Sequence, residues 1–256
     1  MTLTTQPPTL LARGIYKDYG LIRVLQDVDI EVAPGTTHAI IGPNGAGKTT
    51  LFKVLSGELL ASAGSVHFEG RDVSRVAGFA RVREGMGRTF QVARVFQQDS
   101  VLDNMAVAIE SRDCAHGRGL LRQLRVSRSA SMLDECVYFL NQVGLGQRVR
   151  ERAGVLAYGE RKRLELAMTL ALKPRMLLLD EPMAGMSPGD RVAAVELLAR
   201  ISSELSMSIL LTEHDMSVVF ALADRLTVLN YGKVIASGTP DEVKASAVVR
   251  EVYLGH

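Results

Sequence analysis

Residues Gly42-Pro43-Asn44-Gly45-Ala46-Gly47-Lys48-Thr49 narrow the choice of fold more than any other stretch of the chain. Glycine stands at the first and sixth places, followed by lysine and a hydroxyl residue. Glycines let a backbone curl until its N–H groups converge on one point, which makes an anion cradle. The cradle belongs between a strand and a helix whose positive N-terminal end faces the same anion. The flanks meet that demand. His38-Ala39-Ile40-Ile41 runs apolar into the loop, and Leu51, Phe52, Val54, Leu55 and Leu59 predict a helix over Thr49 to Leu60. A chance match to G-x-x-x-x-G-K-[ST] in such a chain is roughly a one-in-a-hundred event. The loop therefore implies phosphate binding by Gly42, Pro43, Asn44, Gly45, Ala46, Gly47, Lys48, Thr49 and Thr50. Lys48 would neutralise β- and γ-phosphates, and Thr49 would offer its hydroxyl to Mg²⁺. The loop alone does not separate kinases, GTPases and motor ATPases.

With 256 residues, 47% of them apolar, the chain can bury one large α/β domain, or a domain plus a small subdomain. Lys and Arg number 30 against 28 Asp and Glu, a net charge of +2 that gives no overall reason to expect nucleic acid as main partner. Cys114 and Cys136 are too few for a disulfide framework and read as free thiols in a reducing cytosol. No apolar run approaches the roughly 18 residues of a membrane span. Met1 to Pro8 does not resemble a signal peptide. The expectation is a soluble, cytosolic chain whose membrane role, if any, comes through a partner.

Residues 1–9 read as a polar tail. Val28-Asp29-Ile30-Glu31-Val32 alternates strictly, which predicts a half-exposed strand. Residues 92–155 carry Leu, Met, Arg and Ser at helical spacing and read as an inserted helical subdomain, with Gly117-Arg118-Gly119 in a loop. A helix over Glu160 to Leu172 is stopped by Pro174. Met176 to Leu179 is apolar throughout, as a strand covered on both faces is. Asp190 to Leu205 reads as helix, Ser208 to Thr212 as a second buried strand, and Leu226 to Ser237 as a hairpin about Tyr231-Gly232. Thr239-Pro240-Asp241-Glu242 has the pattern of a capping box opening a last helix.

Asp180 and Glu181 close the apolar strand, and ligands in such sheets sit at the carboxyl ends of strands. Asp180 is placed to hold Mg²⁺, and Glu181 to polarise an attacking water. Read alone, the pair has a second reading, an acidic helix cap after a core strand.

Upstream lies Leu156-Ala157-Tyr158-Gly159-Glu160, a variant of Leu-Ser-Gly-Gly-Gln. In order along the chain come the phosphate loop, Gln91 in Arg88-Thr89-Phe90-Gln91, this segment, Asp180-Glu181-Pro182, and His214 in Thr212-Glu213-His214-Asp215. With these five landmarks the chain resembles the ATP-binding-cassette (ABC) ATPases over nearly its whole length. The resemblance implies an α/β fold: a P-loop NTPase core with a mainly parallel sheet, an antiparallel β subdomain at the N-terminal side, and an inserted α-helical subdomain. The core would comprise 10–91 and 156–238. The helical subdomain would be 92–155, continuing into a signature helix 159–172, and 239–256 would form a C-terminal helix.

The resemblance also implies roles. Tyr19 would stack on adenine, Tyr16 being the other candidate. Glu181 would be the catalytic base, Gln91 would sense the γ-phosphate and Mg²⁺, His214 would contact the γ-phosphate, and Lys48 would join them in catalysis. Thr49, Gln91 and Asp180 would hold Mg²⁺. Ala157, Tyr158, Gly159 and Glu160 would reach the ATP of a second cassette subunit, with the dipole of their helix aimed at it. ATP and Mg²⁺ are the implied cofactors.

Two departures stand out. Ala157 replaces the usual serine, removing a hydroxyl whose charge-assisted bond contributes about 1.5–3 kcal/mol at most. Ser187 stands where aspartate is frequent, which puts the cross-interface contact of that loop in doubt. Glu181-Pro182-Met183-Ala184-Gly185-Met186-Ser187-Pro188, Glu213-His214-Asp215-Met216 and the ending Val252-Tyr253-Leu254-Gly255 are similar to the LivG-type branch, which drives branched-chain amino acid importers. That branch implies a homo- or heterodimer of cassettes, two transmembrane permeases, and indirectly a periplasmic or extracellular binding protein, with no nucleic acid. It implies a cytoplasmic location, peripheral on the inner face of the cell membrane. Urea or amide import, lipid export, and a soluble cassette ATPase are the alternatives. Val95, Phe96, Val101, Leu102 and Met105 are read as the surface that receives a permease helix.

Overall fold

Strict alternation over Val28 to Val32 becomes part of a long antiparallel pair, β1 (Leu10–Tyr19) and β2 (Ile22–Val32), with Val28, Ile30 and Val32 buried and Asp29 and Glu31 exposed. The computed structural model describes residues 7–115 and 129–254. The chain continues through β3 (Thr37–Ile41), the glycine loop and α1 (Lys48–Leu55) to β4 (Ala63–Phe68), β5 (Arg71–Asp72), α2 (Gly78–Arg83) and β6 (Met86–Arg88). Helices α3 (Val101–Ala115) and α4 (Ala130–Gln142) follow. Two 3₁₀ turns, Gly146–Arg148 and Ala153–Val155, lead to α5 (Tyr158–Ala171). Then come β7 (Met176–Asp180), α6 (Pro188–Leu205), β8 (Ser208–Thr212), α7 (Met216–Leu222), β9 (Arg225–Asn230), β10 (Lys233–Gly238), α8 (Pro240–Ala245) and α9 (Ala247–Leu254).

The strands form two sheets. One is antiparallel, in the order β2-β1-β4-β5. The other runs β10-β9-β3-β8-β7-β6, parallel except for the β9–β10 hairpin. Its central strands are apolar on both faces because both are covered. Ile40, Leu178 and Leu210 pack with the antiparallel sheet and with Phe52 and Leu55 of α1. Ile41, Leu177, Leu179, Ile209 and Leu211 face the helices on the other side. Side chains alternate along a strand, so a continuous apolar run is what two cores require. The order β3-β8-β7 brings the ends of three parallel strands together, at Ile41, Thr212 and Asp180.

Several local expectations shift. The helix after the glycine loop ends at Leu55, not Leu60. Buried Arg81 donates to the carbonyls of Val54 (3.1 Å) and Leu55 (2.6 Å), taking the groups that further helix would use. Thr9 is no part of a loose tail. It is buried, donates its N–H to Val32 O and bonds Ser208 Oγ at 3.0 Å. The last helix is two, because Ser246 between α8 and α9 is extended. The capping box that opens α8 is complete: Thr239 N–H donates to Glu242 Oε2 (2.7 Å), and Thr239 Oγ1 accepts from Glu242 N–H (3.3 Å). Residues 1–6 and Gly117-Arg118-Gly119 lie outside the described residues.

Candidate active site

The glycine loop is held against β9 and β2. A Cβ at Gly42 would lie 2.2 Å from Leu229 O, and one at Gly47, where φ is +103°, would lie 2.9 Å from a Leu25 methyl. Gly232 N–H donates to Ala46 O at 2.9 Å, so the β9–β10 turn braces the loop from outside. Only glycine fits such approaches, so the path of the loop depends on these residues. Asn44, Gly45 and Thr49 are exposed, Pro43 and Thr50 half-buried. Lys48 is buried, and its Nζ donates to the carbonyls of Gly42 (2.7 Å) and Pro43 (3.0 Å). Burial pulls its ammonium pKa down, and the charges of Glu181 and Asp180 oppose that pull.

The strand ends next to the loop carry the acids. Thr212 Oγ1, at the end of β8, donates to Asp180 Oδ1 at 2.9 Å. Glu181 follows with φ +46°, a left-handed conformation that turns the chain sharply out of β7. Its N–H is satisfied by Thr212, with both the carbonyl oxygen and Oγ1 at 3.1 Å. The Glu181 carboxylate is divided between two partners: His214 Nε2 lies 2.8 Å from Oε1, and Gln91 Nε2 donates to Oε2 at 2.9 Å. Buried Glu213 knits the two loops, accepting from Met183 N–H (2.9 Å) and His214 N–H (3.1 Å). Asp215 caps α7 and pairs with Arg191 of α6 at 2.6 Å. Lys48, Glu181, Gln91 and His214 thus belong to one neighbourhood.

The Leu156–Glu160 segment lies at the start of α5, with Ala157 as N-cap. Alanine offers no side-chain acceptor, so the cap is half made: Glu160 Oε2 accepts Ala157 N–H at 2.9 Å, and nothing from residue 157 returns the bond. Glu160 is further paired with Arg148 (3.1 Å). Buried Gly159 packs against Asp190, whose carboxylate carbon is 3.2 Å from where a Cβ would be. The Tyr158 ring lies against Gly185, and its hydroxyl donates to Gln91 O at 3.1 Å. Ser187 is the N-cap of α6, donating to Asp190 Oδ2 (2.6 Å) and accepting Asp190 N–H (3.2 Å). Tyr19 ends β1 with an exposed ring, while Tyr16 is half-buried under Arg23.

The surface expected to receive a partner helix is smaller than its sequence suggests. Val101 and Met105 are fully buried in the helical core, and Val95 and Leu102 are partly buried against it. Phe96 is 51% exposed, and so, at 71%, is Val92, which sequence reading passed over. Also missed were Thr212, Glu213, Lys162 and Glu165. The last two are charged side chains buried on α5. Among the described residues, no group of three or more His, Cys, Asp or Glu side chains could hold a metal by itself. No described helix is long and apolar enough to cross a membrane.

Residues 25–184 match the family described as ABC transporter, and residues 233–256 match that described as branched-chain amino acid ATP-binding cassette transporter. The high-affinity branched-chain amino acid transport ATP-binding protein LivG of Escherichia coli K12 is 35% identical over 251 residues, 97% of this chain and 98% of that protein. BraF of Pseudomonas aeruginosa, of the same description, is 33% identical over 97% of this chain and 98% of its own. Among solved structures, MJ1267, an ATP-binding cassette of an ABC transporter in its ADP conformation, superposes with a TM-score of 0.83. Its identity is 29%, with 97% of this chain and 99% of that one covered. CbiO1 of Clostridium perfringens, part of the transporter complex cbiONQ, gives 0.79 at 27% identity, over 97% and 95%.

Proposed function

The chain belongs to the ATP-binding-cassette transporter family, a family of ATPases, and we propose that it is the ATP-hydrolysing subunit of an importer for branched-chain or related amino acids. The observation that carries the reading is the Glu181 carboxylate, held between His214 and Gln91 beside the glycine loop. The substrate class is supported by the match over residues 233–256 and by the relatives' descriptions.

In this reading the loop N–H groups and Lys48 take the β- and γ-phosphates, and Tyr19 stacks on adenine. Glu181 accepts a hydrogen bond from water and aims it at the γ-phosphorus. The new P–O bond forms as the bond to the ADP oxygen breaks, and the water's proton leaves towards the carboxylate. His214 and Gln91 fix that carboxylate and face the γ-phosphate. The hydroxyl of Thr49, the amide oxygen of Gln91 and the carboxylate of Asp180 are hard oxygen donors. They would hold Mg²⁺, an ion usually bound through one or two protein carboxylates together with substrate phosphates. Bound there, Mg²⁺ supplies charge neutralisation.

One chain supplies half of two sites. The Ala157–Glu160 end of α5 meets the ATP of a second cassette, identical or not, whose own signature closes over Lys48. Two permeases anchor the pair to the cytoplasmic face of the membrane, and a periplasmic or extracellular binding protein delivers the amino acid. The test is isolation from detergent-solubilised membranes, followed by reconstitution with the binding protein. Co-purifying permeases and ATP-dependent uptake of leucine, isoleucine or valine are expected. A chain that returns without permeases is not an importer subunit. Uptake of urea, amides or other solutes alone removes the substrate assignment.

A further inference from the structure

Three side chains of α5 hold the backbone around Gln91. The Tyr158 hydroxyl donates to Gln91 O (3.1 Å), and Lys162 Nζ donates to Phe90 O (2.8 Å). Glu165 Oε1 accepts the N–H groups of Phe90 (3.4 Å) and Arg94 (3.0 Å). Positions 158, 162 and 165 follow the i, i+4, i+7 spacing of one helix face. Between Thr89 and Phe96 the chain forms neither helix nor strand, so these bonds satisfy backbone that no ladder reaches. At the far end Asn104 of α3, fully buried, accepts Phe96 N–H (2.7 Å) and donates to Phe96 O (3.0 Å). The last bond to the parallel sheet is Thr89 N–H to Leu178 O, at 3.0 Å. The strap carrying Gln91 is therefore fastened to the helices, while the Gln91 side chain reaches Glu181 at the sheet.

Lys162 and Glu165 are both buried. Burial lowers the pKa of the Lys162 ammonium and raises that of the Glu165 carboxyl. An apolar face would pack at less cost. What the two charged groups supply is directional, charge-assisted bonding to a backbone that must be placed.

We propose that Lys162 and Glu165 are positioning residues that fix Gln91 to the signature helix, so that a movement of α5 changes how Gln91 meets Glu181. The inference rests on Gln91 acting in the hydrolytic site. In the intact transport complex, Glu165→Ala and Lys162→Met are expected to lower kcat about 10- to 100-fold, the effect of misplacing a group near the chemistry. KM for ATP should stay within about threefold, because the glycine loop is untouched. Glu165→Gln, whose carbonyl oxygen accepts the same two N–H groups, should restore turnover. In a Gln91→Ala background, Glu165→Ala should add little further loss, since residues acting as a unit are not additive. Amide exchange at Phe90 and Arg94 should rise in Glu165→Ala while β7 and β8 keep their protection.

A Glu165→Ala loss that persists in full on top of Gln91→Ala overturns the inference. So does a loss of protection spread through the parallel sheet, the signature of a merely structural role. Should Glu165→Ala not fold, Lys162→Met carries the same double-mutant comparison. Gln91→Ala turning over at the wild-type rate would instead overturn the role of Gln91 itself.

Discussion

His214 Nε2 lies 2.8 Å from Glu181 Oε1, and the other oxygen of that carboxylate accepts from Gln91 Nε2 at 2.9 Å. One acid is oriented from two loops, one following β8 and one crossing from the helices. The left-handed turn at Glu181 makes this possible, because a chain running straight on from Asp180 would send residue 181 to the opposite side of the strand.

Glu181→Gln is therefore expected to keep nucleotide and lose turnover. The amide preserves shape and can still bond both neighbours, but it cannot take a proton. A fall of at least about 10²-fold in kcat is expected, with ATP affinity within a few-fold. Single-turnover hydrolysis and equilibrium binding of ATP decide it. A variant with wild-type turnover would remove Glu181 as the base.

Lys48→Ala should lose nucleotide itself. Lys48 is buried, and in the folded chain its ammonium is held by two loop carbonyls. Removing the cation leaves those carbonyls without their donor and the phosphates without a counter-charge. Binding of ATP should weaken at least about 10-fold, since a charge-assisted bond contributes about 1.5–3 kcal/mol. Fluorescent-nucleotide titration measures this, and unchanged affinity would count against the cradle.

The glycine loop and the acid at the end of an apolar run could be placed from the sequence because each pattern is local, whereas His214 and Gln91 entered only through the family resemblance. The parallel strands were legible for a similar reason, since two covering layers force continuous apolar runs. What escaped was set by distant groups. Arg81 ends α1 from 27 residues away, and Ser208 holds Thr9 from the far side of the chain. Val101 and Met105 looked available for a partner because the segment after Gln91 has several apolar residues, and only packing against α4 and α5 shows these two already used. Tyr158, Lys162 and Glu165 could be placed on one helix face, but what that face touches is a tertiary fact.

The exposed aromatic left on that surface is Phe96, whose backbone is anchored by Asn104 while its ring is half in solvent. Phe96→Asp should leave basal ATP hydrolysis within about twofold, as surface substitutions usually leave stability little changed. Substrate-stimulated hydrolysis and uptake should fall together. Loss of basal and stimulated rates alike, or of neither, would show that the ring does not contact a permease.

His38 gives the fold an acid sensitivity. It lies buried in β3, its Nε2 2.9 Å from Thr227 Oγ1, and burial lowers its pKa from 6.5 to about 4. As pH falls below 6.5 the unfolded chain takes up a proton that the folded chain refuses until about pH 4. The stability from this group is complete above 6.5 and is lost progressively down to about 4, a total of roughly 3 kcal/mol. His38→Gln should flatten urea-denaturation stability between pH 6.5 and 5 relative to wild type. Parallel pH slopes in the two proteins would mean that another group titrates.

Ala157→Ser tests the half-made cap of α5. Glu160 already accepts the N–H of residue 157, and a serine hydroxyl there could accept the N–H of residue 160 and complete the reciprocal pair. The gain in stability should be about 0.5–2 kcal/mol, the range for replacing alanine at an N-cap. The midpoint of chemical denaturation measures it without any assay of activity. The same hydroxyl would lie where the partner's phosphate is expected, so the variant should also raise turnover of the assembled pair. A more stable variant with unchanged turnover would confine residue 157 to capping its own helix.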